Sequence, residues 1–159
     1  MSLLQKIENL FTTSDFTLTD FVVEKESKEY EGCNFKLNDL KIYFRKAKIT
    51  PKKEGQFVTF YKRIQSGVIA PFDDEDDFQF LIVNVEFENQ RGYFIFPKLL
   101  LAQKNILTTS IKDGKRAFRI YSPWDEPKNK QALTSQQWQL DCFTAASDLQ
   151  NYLLERNLF

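Results

Sequence analysis

Residues 78–87, FQFLIVNVEF, are almost continuously apolar. That is the pattern of a central strand buried on both faces, and it demands further structure on either side of its sheet. The neighbouring segments supply it. Leu40, Ile42 and Phe44 alternate with Lys41, Tyr43 and Arg45, as in a strand with one polar face. Residues 56–64 read as another strand, with Phe57, Thr59, Tyr61 and Arg63 on one face and Val58, Phe60 and Lys62 on the other. A turn at 88–92 leads to a returning strand at 93–96, and 117–121 is a further strand. Residues 30–32 and 50–55 read as turns, and 69–77 as a loop.

Helices are predicted around this sheet. Leu3, Leu4, Ile7 and Phe11 recur at helical spacing behind a possible Ser2–Gln5 capping box. Residues 16–27 read as a second helical piece, and Pro97 suits the first position of a short helix over 98–104. Trp138, Cys142, Ala145, Leu149, Tyr152 and Leu153 form one stripe, which predicts a long C-terminal helix opened by a Thr134–Gln137 capping box. The expected fold is α/β (α+β), a central mixed, largely antiparallel sheet flanked by helices. No linker divides the chain, so residues 1–159 read as a single domain.

The residues absent narrow the chemistry. There is no histidine, so Ser–His and Cys–His nucleophile systems, His-ligated zinc and HExxH sites are excluded. Cys33 and Cys142 are too few for a disulfide framework, and a reducing, cytoplasmic setting is expected. No apolar run approaches a membrane span, and MSLLQKIENLF lacks the pattern of a signal peptide. The 22 cations balance 22 acids, but unevenly. Residues 45–63 hold seven cations and one acid, 64–90 hold seven acids and no cation, and 91–130 hold nine cations and three acids.

Three constellations carry possible chemistry. In 44–63, FRKAKITPKKEGQFVTFYKR, the cations Arg45, Lys46, Lys48, Lys52, Lys53, Lys62 and Arg63 are interleaved with Phe57, Phe60 and Tyr61, just after Tyr43. Nucleic acid needs cations for phosphates and rings on which bases stack. The competing reading is a hairpin whose lysines keep its edge soluble. In 113–125, DGKRAFRIYSPWD, Lys115, Arg116 and Arg119 stand beside Tyr121 and Trp124, the latter also placed to cover the core. The acids of 73–77 with Glu86, Glu88 and Lys98 suggest a magnesium-dependent phosphodiesterase site; a solvated acidic loop explains them as well.

Five stretches in order resemble the MepB-like family of small bacterial proteins: residues 44–63, Pro71–Phe72, GYFIFPKLLL at 92–101, GKRAFRIYSPWD at 114–125 and QQWQLDCF at 136–143. That family looks similar to the restriction-endonuclease-like, or PD-(D/E)XK, superfamily. The resemblance implies an Asp at the second core strand, met here by Asp76 or Asp77, paired with a Glu-x-Lys set on the third. Lys98 stands where the lysine would, but the acidic position is Phe96, which cannot bind a metal. Catalysis would then need Glu86 or a helix acid as a substitute. The expectation is a nuclease-like domain that binds nucleic acid, with single strands as the favoured form, without efficient cleavage and without a cofactor. Phosphate contacts are assigned to Arg45, Lys48, Lys62, Arg63, Arg116 and Arg119, and stacking to Tyr43, Tyr61, Tyr121 and Trp124. The alternatives are an active magnesium-dependent nuclease using Asp77, Glu86 and Lys98, and a protein-interaction module.

Overall fold

The computed structural model describes residues 1–156. Helix α1 (Leu3–Phe11) opens the chain, with both hydrogen bonds of the Ser2–Gln5 capping box in place. Strands β1 (Leu18–Val23), β2 (Cys33–Leu37) and β3 (Leu40–Lys46) follow as an antiparallel meander. The segment read as a second helical piece is therefore an edge strand. Tertiary pairing with β2 outweighs its mixed local pattern, and β2 itself was missed.

After β3 the chain makes β4 (Lys48–Ile49), β5 (Gln56–Thr59), β6 (Tyr61–Arg63) and β7 (Ile69–Pro71) before reaching β8 (Phe80–Phe87). β8 pairs parallel to β3, with Phe44 opposite Ile82. Parallel neighbours need a crossover connection. Here that connection is built from strands, and it lies across one face of the main sheet. The single strand expected at 56–64 is broken at Phe60, whose amide donates to the Arg116 carbonyl; β5 and β6 then join different sheets.

β9 (Gln90–Pro97) returns antiparallel to β8, and α2 (Lys98–Gln103) begins directly after Pro97. β10 (Ala117–Ile120) pairs with β5, then α3 (Lys130–Leu140), β11 (Phe143–Ala145) and α4 (Leu149–Glu155) complete the described chain. The expected long C-terminal helix is corrected to two helices separated by a strand. Residues 143–145 gain more by pairing with β9 than by continuing the helix, and the apolar stripe is shared between elements.

The main sheet has the order β1-β2-β3-β8-β9-β11, and only its β3–β8 pairing is parallel. This is the mixed, largely antiparallel sheet expected. Ile7, Phe11, Phe35, Ile82 and Leu149 fill one face beneath α1 and α4. Leu81, Val83, Val85, Val58 and Phe118 fill the other, between the main sheet and the smaller sheet β10-β5-β4. Among the described residues eleven phenylalanines are buried, so the aromatic excess is mostly core. The alternating face of β3 that read as polar is largely covered: Arg45 is buried, and Lys41 and Tyr43 are half-buried.

Candidate nucleic-acid interface

That burial decides the fate of several expected contacts. Arg45 is 0 % exposed. Its Nη1 and Nη2 both donate to the Glu24 carboxylate at 2.9 Å, and Nε donates to the Thr59 carbonyl at 3.2 Å. The expectation that Arg45 meets phosphate is corrected: the group is spent inside the protein. Tyr43 packs against Phe60, Phe72 and Phe78 with centroid separations of 5.8, 4.8 and 5.3 Å. Burial pushes its phenol up to about 12, and its ring faces are not open to a base. Trp124 stacks edge-on to Phe143 at 5.9 Å, which is the core-covering role.

The remaining cations of β4 and β6 are paired with acids. Lys48 meets Glu29 at 3.2 Å, and Arg63 meets Glu26 at 2.8 Å. Lys62 is held by Asp73 and Asp76, both at 2.9 Å. Burial disfavours the Lys62 charge, yet the hydrogen bonds it donates to the two aspartates win and raise its pKa; the Lys62 hydrogen bond lowers that of Asp73. Arg116 is exposed and lines a shallow cavity with Lys62, Asp73 and Asp113, while Tyr61 is half-buried. Lys62 and Arg63 lie side by side on one strand and reach different partners, so these cations do not form one groove.

The residues considered for a metal-dependent nuclease do not come together. Asp77 is exposed in the loop before β8, and Lys98 lies near it, its Nζ donating to the Asp76 carbonyl. Glu86 stands opposite Arg91 at the far end of the β8–β9 pair, roughly 20 Å along the strand from Lys98. It bonds Lys46 there at 3.5 Å. Phe96 is fully buried, and among the described residues no three acids or cysteines are grouped to hold a metal ion. The side chains present do not fit the superfamily's metal site.

A cationic surface does form elsewhere, between β10 and α3. Two adjoining cavities of about 350 Å³ each share Arg119, Tyr121, Asn129 and Ala132. The first also takes Lys104, Lys115, Phe57 and Trp138; the second takes Lys52, Lys53 and Lys128. The fold explains their convergence. Val58, Phe118 and Ile120 point into the core, which leaves Phe57 and Arg119 as register partners on the outer face of the small sheet. β10 is the edge of that sheet, and α3 covers it. Gln139 accepts from the Tyr121 amide at 2.8 Å and donates to the Arg119 carbonyl at 3.0 Å, as a neighbouring strand would. One turn earlier, Gln136 donates to the carbonyls of Ser122 and Asp125.

The charge there is only partly compensated, since Lys128 meets Glu126 at 3.9 Å. Lys52, Lys53, Lys104, Lys115 and Arg119 have no carboxylate partner among the described residues, and Glu54 is the one acid lining either cavity. Lys104 lies over the Trp138 ring at 5.7 Å. Arg119 is fixed by Thr50 Oγ1 at 2.8 Å and the Gly55 carbonyl at 3.1 Å through Nη2, which leaves Nη1 open. Of the residues assigned from the sequence, only Arg119 and Tyr121 line this groove. Lys104 and Lys128 were missed because neither lies in the two aromatic-bearing basic runs, and Trp138 because it was read as part of a helix stripe; Phe57 was noted among the rings interleaved with the first run.

A family model described as MepB-like matches residues 24–145 of the chain. A solved structure described as "Crystal Structure of MepB" is 34 % identical, superimposes with a TM-score of 0.79, and covers 91 % of this chain and 97 % of that one. No curated protein matches. Among the described residues no helix is long and apolar enough to cross a membrane.

Proposed function

The chain belongs to the MepB-like family, and from that footing we propose that it binds nucleic acid in the groove between β10 and α3, without efficient cleavage. The observation that carries this reading is the contrast in pairing. Arg45, Lys48, Lys62 and Arg63 are neutralised by carboxylates, whereas the five groove cations are not. Uncompensated cations beside aromatic rings are what a phosphate backbone with stacking bases requires. The cavities have the size of small-ligand pockets. That favours a strand entering one nucleotide at a time over a duplex laid across the surface.

The preferred ligand is therefore single-stranded DNA or RNA. Fluorescence anisotropy at low salt tests it with charge reversals at exposed sites. Lys53→Glu and Lys115→Glu should each weaken single-strand binding by about tenfold, while Lys48→Glu, at a cation already paired, should change it much less. Equal effects at all three positions would argue against this groove.

A further inference from the structure

Tyr121 is not explained by backbone binding alone. The residue is only 8 % exposed, yet its hydroxyl has no hydrogen-bond partner among the described residues and is not sealed from solvent. A buried tyrosine ordinarily spends its hydroxyl on a partner. The ring is held by the turn at Gly55, whose φ is +82°; a Cβ there would lie 2.7 Å from ring carbons Cδ1 and Cε1. It lines both halves of the groove.

The N-terminus of α3 opens into the same cavities, since Asn129 and Ala132 line both. The Asn129 side chain caps the Ala132 amide at 2.8 Å. The amides of Lys130 and Gln131 precede the first intrahelical bond and have no acceptor within the helix. Positive backbone dipole, the open Nη1 of Arg119 and the side chains of Lys52, Lys53 and Lys128 thus line the cavity that Tyr121 also lines, against the acids Glu54 in that lining and Glu126 beside Lys128. An internal phosphodiester brings a single negative charge, whereas a phosphomonoester brings about −1.5 to −2 and three terminal oxygens. The monoester matches this density of donors better.

We propose, resting on the strand-binding reading above, that the Tyr121 end of the groove holds a terminal phosphomonoester, with the Tyr121 hydroxyl donating to it beside Arg119 and the α3 N-terminus. The phosphate belongs to the end of a strand; a free mononucleotide presents the same chemistry, and the test separates the two. Anisotropy is measured with short internally labelled single strands bearing a 5′-phosphate, a 3′-phosphate or hydroxyls at both ends. Calorimetry compares a nucleoside 5′-monophosphate with the nucleoside.

One phosphorylated end should bind about tenfold tighter than the hydroxyl-ended strand, and Tyr121→Phe should remove most of that preference. Lys53→Ala, on an exposed turn where folding is not at risk, should reduce it as well. Strands that bind equally well with either end overturn the terminal-phosphate site and leave strand binding standing. A monophosphate that binds while no strand does keeps the phosphate site and overturns strand binding. No binding of any probe overturns both.

Discussion

Arg45 lies wholly out of water, and Glu24 supplies the charge that makes this tolerable. Removing one partner of a buried pair strands the other, so Glu24→Gln should cost about 3–5 kcal/mol in urea unfolding. The joint replacement Arg45→Met with Glu24→Leu should recover most of that loss. This role was illegible in the chain, because alternation placed Arg45 on a polar face and Glu24 lay in a segment read as helical. The Lys62–Asp73 contact sets a pH dependence. Asp73 has a lowered pKa in the fold, so its contribution is present above pH about 4 and is lost as pH falls through the folded value. Lys62 has a raised one, so its contribution is full below pH about 10.4 and is lost as pH rises through the folded value. Urea midpoints of wild type and Asp73→Asn should therefore differ at neutral pH and converge in acid.

Elements whose signal was local could be read directly. The capping box and apolar spacing of α1 lie within eleven residues, and the apolar run of β8 needed no partner to be recognised. Elements defined by a distant partner could not. β1 exists through β2, and β11 through β9, where Gly92 leaves room for the Phe143 ring. A Cβ at Gly92 would lie 2.3 Å from that ring and 2.8 Å from the Thr144 carbonyl. Gly92→Ala should then cost about 1–3 kcal/mol by overpacking and loosen β11, seen as faster amide exchange at residues 143–145. Helix α3 is fastened by polar groups as well as by Trp138, whose ring packs 5.6 Å from that of Phe96. Gln139→Leu leaves the Tyr121 amide and Arg119 carbonyl unpaired, and should cost about 1–3 kcal/mol while weakening ligand binding in the groove.

At the scale of the molecule, the strand-built crossover from β3 to β8 redistributes the charge blocks. It turns Asp73 and Asp76 onto Lys62, sets the Asp76 carbonyl against the Lys98 ammonium, and leaves Lys52 and Lys53 beside cations contributed after β9. Adjacency in sequence identified two basic segments; the fold decides which of their members remain unpaired. The central claim is that the unpaired cations lining the groove, Lys52, Lys53, Lys104, Lys115 and Arg119, contact phosphates. The most direct test is the salt dependence of single-strand affinity in wild type and in Lys53→Ala/Lys115→Ala. Log K should fall with log salt at a slope of about −0.7 per phosphate contacted, and the double variant should lose about two contacts' worth of slope. The paired-cation variant Lys48→Ala should keep the wild-type slope. No binding at low salt, or a slope unchanged in Lys53→Ala/Lys115→Ala, would contradict the account.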